Sequence, residues 1–167
     1  MTPDPALTIK KVHRNSVFIG YAYVACGAVG VVGPLTGFPM GWFHWVAIVV
    51  AVLIGFVELH YGKCLLKTRE ACWMKRLAWN QVLATFFLLI ILASMLFEDP
   101  RVLLNQMDAQ RVQEIEQATA QMGITPEEFV RFATKLTVAM CSVIIFIFQG
   151  LIVKSYFKAY RTYKNLK

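Results

Sequence analysis

"GKCLLKTREACWMKR" (Gly62–Arg76) governs how this chain is organised. It carries Lys63, Lys67, Arg69, Lys75 and Arg76 against one acid, Glu70, and it separates two stretches that are almost without charge. No Asp, Glu, Lys or Arg occurs from Asn15 to Val57, from Leu77 to Phe97, or from Leu136 to Val153. A helix crosses about 30 Å of hydrocarbon with about 20 mostly apolar residues. The second and third uncharged stretches are each one such helix long. The first is two helices long, and "GPLTGFPMG" (Gly33–Gly41) breaks it with two prolines and three glycines. Backbone groups freed by Pro and Gly are poorly tolerated against lipid, so that break belongs at an interface. The expectation is an all-α polytopic membrane protein, a single domain over 1–167 with four spans near 16–35, 42–61, 78–97 and 135–154. Bulk composition agrees, with 57% hydrophobic and only 16% charged residues.

The cations predict an orientation, because Lys and Arg near span ends are retained on the cytoplasmic side. Lys10, Lys11 and Arg14 precede the first span, five cations fill the opening stretch, and Lys154, Lys158, Arg161, Lys164 and Lys167 follow the last. The turn at 34–41 has none, and the segment 98–131 carries seven acids against three arginines. Alternate loops therefore have opposite bias. This predicts both termini in the cytoplasm, the basic stretch as a cytoplasmic loop, and a plasma membrane, bacterial inner membrane by type. The formal charge of +7 is accounted for by topology and implies no nucleic-acid partner. Lys10, Lys11 and Arg14 ahead of an apolar run also have the shape of a signal peptide, but the chain after Cys26 stays apolar.

Between spans three and four, 98–134 reads as an extracytoplasmic helical hairpin. "EDPRVLLNQMDAQRVQEIEQATAQMG" (98–123) opens with Asp99 as a cap and Pro100 in the first turn, and closes at Gly123. Leu104, Met107, Val112, Ile115, Ala118 and Met122 share one side of that helix, interrupted by Asp108 and Arg111 at pairing distance. Of these, Leu104, Val112, Ile115 and Met122 are the candidate oligomer contacts, since an apolar side must be covered by something. A capping box follows at once in "TPEEF", with Thr125 as cap and Glu128 closing it. Nothing stops the next helix before about residue 163. The tail 155–167 interleaves aromatic residues with cations, and Lys154, Lys158, Arg161 and Lys164 read as contacts to anionic lipid headgroups.

Polar groups within apolar spans are the first place to look for function. Glu58, Asn80, Gln81 and Gln149 fall at similar depth near the basic end of their spans and form a candidate intramembrane cluster. Gln149, in the middle of "IIFIFQGLIV", is expected to face protein, with Asn80 or Gln81 as its partner and Gly150 admitting a neighbouring helix. In the first span, Gly27, Gly30 and Gly33 recur every three residues and mark a close helix contact. Trp42, Trp45, Trp73 and Trp79 read as interfacial belts.

No catalytic, cofactor-binding or metal-binding residues emerge. The three histidines, His13, His44 and His60, lie near different ends of the spans, and only His13 and His60 share a depth at which two could face one haem. The four cysteines form no CxxC, which disfavours membrane thiol-oxidase chemistry. The leading expectation is a non-enzymatic structural or accessory subunit, without a cofactor, whose partners are the lipid bilayer and either copies of itself or other membrane-protein subunits. The alternative is a homo-oligomeric ion channel whose acidic outer hairpin forms a vestibule.

Overall fold

The computed structural model describes residues 5–35, 42–105 and 107–165, with side chains described outside 32–35 and 42–44. Six α-helices and one short 3₁₀ turn hold most of the described residues, with no strand among them: α1 (Pro5–Leu35), α2 (Trp42–Thr68), α3 (Ala71–Ser94), the 3₁₀ turn Met95–Phe97, α4 (Pro100–Asn105), α5 (Ala109–Met122) and α6 (Pro126–Lys164). Three segments are long and apolar enough to cross a membrane: Trp45–Thr68, Ala71–Phe97 and Pro126–Lys164. The expected interfacial break at 34–41 lies largely outside the described residues, as do the side chains of Gly33, Trp42 and His44 and the whole of Lys167.

The basic stretch between the expected second and third spans is largely helical. α2 continues to Thr68 and α3 starts at Ala71, leaving a two-residue corner at Arg69 and Glu70. Arg69 takes a left-handed backbone conformation (φ 55°), and its N–H donates to Leu65 O at 3.0 Å, which closes the end of α2. Four of the five cations lie in helix, because the stretch is amphipathic on both sides of the corner. Leu65, Met74 and Leu77 are fully buried, while Lys63, Lys67, Lys75 and Arg76 stay exposed. The corner is braced by Trp73 Nε1–H, which donates to Thr68 Oγ1 at 2.9 Å, and by the Arg76 guanidinium 4.4 Å above the Trp73 ring.

Two compact units divide the chain, Met1–Leu88 with Ile145–Lys167, and Leu89–Ile144. In the first, the main hydrophobic cluster lies at the basic end of four helices. Ile9 and Val12 of α1, Leu65 of α2, Met74, Leu77 and Ala78 of α3, and Tyr156 and Tyr163 of α6 bury one another. α1 begins well before its uncharged run so that Ile9 and Val12 can join this cluster. Tyr163 O–H donates to Arg69 O at 2.7 Å, tying the end of α6 to the α2–α3 corner.

Further along, α1 and α2 pack antiparallel on a seam of small residues. The α1 positions 13, 16, 20, 23, 27 and 30 alternate three- and four-residue steps, the spacing of a helix–helix seam with a near-heptad repeat. Opposite them lie Ile48, Val52, Gly55, Leu59 and Gly62. The two backbones come very close: a Cβ added at Gly55 would lie 2.7 Å from Gly20 O, and one at Gly20 would lie 2.6 Å from Leu59 Cγ. A Cβ at Gly27 would collide with Val52, and one at Gly62 with Ser16 Oγ. Of the expected glycine triplet, Gly27 and Gly30 do face a neighbouring helix of the same chain. Between helices in lipid, close approach and dispersion take the place of a hydrophobic drive, and glycine is what permits that approach.

In the second unit, the helix expected to run unbroken from Pro100 to Gly123 is interrupted. α4 ends at Asn105, and Asp108 stands in extended backbone as the N-cap of α5, its carboxylate accepting from Arg111 N–H at 2.8 Å. The same carboxylate pairs with the Arg111 guanidinium at 3.3 Å. Asp108 thus starts a helix where it was expected to sit within one, because a short acceptor side chain satisfies free N–H groups better at an end than in a middle. The other end signals act as expected. Gly123 adopts φ 69° after the last turn of α5, and Thr125 and Glu128 exchange the bonds of a capping box at the start of α6. Arg101 bridges α4 to the first turn of α6 through Glu127 at 3.1 Å.

Candidate functional site: a buried polar layer on four helices

The candidate site is assembled from the face of each helix that turns inward in the first unit. On α2, Ile54, Glu58 and Leu65 repeat at four and seven residues, so Glu58 is carried inward by the apolar residues above and below it. On α3, Met74, Leu77, Ala78, Gln81 and Ala84 form the inward face, with Asn80 at its margin. On α6, Gln149, Tyr156 and Tyr163 stand seven residues apart and share a side. α1 contributes Tyr23 from its seam with α2.

Glu58 is completely buried, and both of its oxygens accept short hydrogen bonds. Asn80 Nδ2–H donates to Oε2 at 2.7 Å, and Tyr156 O–H donates to Oε1 at 2.7 Å. Asn80 Nδ2 also reaches Ile54 O at 3.4 Å, anchoring the amide to the α2 backbone. Neither of the two ion pairs among the described residues involves Glu58. Its carboxyl group is held by neutral donors, which makes each of them matter: a buried polar group left without its partner costs about 1–3 kcal/mol.

A second chain of bonds runs beside the first. Gln149 Nε2–H donates to the Tyr23 hydroxyl, whose own O–H lies 3.5 Å from Gln81 Oε1. Gln149 therefore does face protein, but its partner is Tyr23. Gln81 is reached only through that phenol, and Asn80 is committed to Glu58. Two buried groups remain unsatisfied, the donor Gln81 Nε2 and the acceptor Gln149 Oε1, which flank Tyr23 on either side. Gly150, expected beside a neighbouring helix, has no atom of another helix among the described residues within 4 Å of where its Cβ would be.

The structure thus joins Glu58 to Asn80 directly, and Gln81 to Gln149 through Tyr23. Tyr23 and Tyr156 are the members that sequence reasoning passed over. Tyr156 had been grouped with the aromatic residues of the tail, yet it is 1% exposed. The usable signal was spacing, since Tyr156 and Tyr163 follow Gln149 at seven and fourteen residues. The cations Lys154, Lys158, Arg161 and Lys164 occupy the other sides of the helix and are exposed.

The remaining candidates are placed as follows. In the second unit, Leu104, Val112 and Ile115 are half-buried, Met122 is exposed, and the one fully buried residue of α5 is Thr119. His13 Nδ1 lies 3.0 Å from Gly62 O, which assigns the proton to Nδ1 because a carbonyl only accepts. His60 Nε2 lies 3.5 Å from Cys64 Sγ one turn along α2. Among the described residues no group of three or more His, Cys, Asp or Glu is arranged to hold a metal ion.

Chemically, the layer is a carboxylate, two phenols and three amides fixed on four different helices. Its evident capacity is to lock those helices in one register, since each bond crosses between elements. No protein-family model, no curated protein and no solved structure matches this chain.

Proposed function

We propose that this chain is a four-span integral membrane protein with both termini in the cytoplasm, serving as a non-enzymatic structural or accessory subunit. It joins copies of itself or a larger membrane complex through the uncovered side of α6. The observation that carries this reading is how little of α6 its own chain covers. Only 6% of its most apolar 18-residue stretch is buried, against 22% in α2 and 17% in α3. Val143, Phe146, Ile147 and Leu151 are exposed, and the space in front of Gly150 is open. Lipid covers such a surface without specificity. A glycine facing open space adds a place where another backbone can approach.

The fourth span is α1. Three helices are apolar enough to cross on their own account, and α1 lies antiparallel along the apolar part of α2, uncharged from Asn15 onward. A helix packed in that register crosses wherever α2 crosses. On charge bias the basic corner, the start of α1 and the end of α6 then belong to the cytoplasmic side, and the acidic segment 98–134 to the outer side.

Gly150→Leu tests the assembly reading directly. No other helix among the described residues lies against the new Cβ, so the subunit should insert and melt as before while native mass spectrometry in detergent shows the complex falling apart. An unchanged particle would remove α6 as the contact. Closed rings that pass current in a planar bilayer would replace the accessory reading with the channel. Orientation is checked with a membrane-impermeant thiol reagent, which should reach Cys64 and Cys72 only in opened cells. Labelling from outside overturns the topology.

A further inference from the structure

The basic end of the first unit holds more positive charge than nearby acids offset, and part of it converges on one groove. Between α1 and α6 runs a depression of roughly 570 Å³, lined among others by Lys11 and Asn15 of α1 and by Leu151, Lys154, Ser155 and Lys158 of α6. The α6 residues recur at three- and four-residue steps, so they form a single stripe about 10 Å long. That stripe changes character along its length, apolar at Leu151 and cationic from Lys154 to Lys158.

The position of the change is informative. Lys154 is the first charged residue after the uncharged run Leu136–Val153, and Asn15 is the first residue of the uncharged run on α1. The groove therefore spans the depth at which hydrocarbon gives way to headgroups in the four-span reading. Three lysines line it, and neither of the two ion pairs among the described residues involves any of them. Like charges held around one concavity repel unless an anion lies between them. The anion must be large enough to contact two helices, and at this depth it comes with an acyl chain.

We propose that this groove is a binding site for one anionic phospholipid. Its phosphate lies among Lys11, Lys154 and Lys158, Asn15 and Ser155 supply neutral hydrogen bonds, and an acyl chain leaves past Leu151. The site differs from a diffuse basic surface in that two helices contribute to it and one end is apolar. Juxtamembrane lysines attract anionic lipid by about fivefold each, so three acting on one headgroup give a preference well above tenfold. The inference rests on the membrane reading above.

The test uses the full chain in nanodiscs of phosphatidylglycerol and phosphatidylcholine in equal amounts, followed by release into mild detergent and native mass spectrometry. The expected result is one phosphatidylglycerol retained per chain, preferred over phosphatidylcholine by more than tenfold. Millimolar glycerol 3-phosphate should not displace it. Lys11→Gln with Lys154→Gln and Lys158→Gln should abolish the preference. Lys63→Gln with Lys67→Gln and Lys75→Gln, which removes equal charge outside the groove, should preserve it. Should the groove triple variant fail to fold, Lys11→Gln alone should lower the preference about fivefold. Equal loss in both triple variants, or equal retention of the two lipids, would overturn the site. Displacement by glycerol 3-phosphate would reassign it to a soluble phosphate ester. A chain that fails to enter nanodiscs at all would instead refute the membrane reading.

Discussion

α1 and α6 are the two longest helices, 31 and 39 residues, and each carries an uncharged run long enough for a bilayer. Their surroundings are nevertheless opposite. α1 is pressed against α2 along a seam where Gly20 and Gly55 leave no room for a Cβ. The apolar part of α6 has bulky side chains around its circumference, Phe146, Ile147 and Phe148 on successive residues, and all three are exposed. Apolarity decides that a helix can enter lipid. Side-chain volume decides whether it acquires a helix for a neighbour, because packing between helices in lipid depends on how closely backbones can approach. α6 is held to its own chain where it stops being purely apolar, through Gln149, Tyr156 and Tyr163.

The sharpest way to break this contrast is to fill the seam. Gly55→Leu should be the most damaging single substitution, because its first new atom meets the backbone oxygen of Gly20 and no side-chain rotation relieves it. Overpacking costs about 1–3 kcal/mol even where side chains can move, so here we expect more than about 3 kcal/mol, read as loss of the folded particle in detergent. Retention of a near-normal melting temperature would show that α1 and α2 are not locked by glycine contact.

Glu58→Leu comes next. It strands the Asn80 amide and the Tyr156 hydroxyl, and each buried donor left without its acceptor costs about 1–3 kcal/mol. Glu58→Gln keeps an acceptor for Asn80 and should cost less than half as much. Chemical unfolding of the two variants side by side checks the difference, and equal costs would mean that the carboxylate contributes no more than its shape.

Arg69→Gly should move stability the other way. A residue with a side chain pays about 1 kcal/mol to hold a left-handed backbone, and glycine does not. The Tyr163 bond is made to the Arg69 carbonyl and survives the change. A gain of up to about 1 kcal/mol in thermal unfolding is expected, whereas a loss would show that the Arg69 side chain braces the corner.

The smallest effect belongs to α6. Ile147→Ala removes a side chain that touches little of its own chain, so the isolated subunit should change by less than about 0.5 kcal/mol. A large loss in the detergent-solubilised monomer would mean that α6 is covered after all, and the contrast with α1 would fail.

Much of the architecture was readable because it rests on local chemistry. Charge-free runs of helical length, the capping box at Thr125 and Glu128, and the αL stop at Gly123 each depend on residues a few positions apart. Where local reading failed, one residue had two competing uses. The conspicuous charge of Gly62–Arg76 hides the buried helical positions Leu65 and Met74 on either side of the Arg69–Glu70 corner. Asp108 falls inside a helix if Pro100 to Gly123 is read as one run, and it pairs with Arg111 as its spacing suggests, yet that spacing equally suits the cap it forms. Glu58, Asn80, Gln81 and Gln149 could be picked out as polar residues of similar depth, but depth does not choose partners.

By itself, the order of residues determined that this chain is helical, where its apolar runs begin and end, and which way their flanking charges are biased. These follow from backbone satisfaction and the energy of charge, which act along the chain. Only the tertiary structure decided that Tyr23 stands between Gln81 and Gln149, that Tyr156 turns inward to Glu58, and that α1 lies on α2 while much of α6 stays bare. A phenol serves equally as an interfacial anchor or a buried donor, and a glycine equally as a weak point or a contact. Which role each takes depends on atoms that are distant in sequence and are brought within 3 or 4 Å by packing.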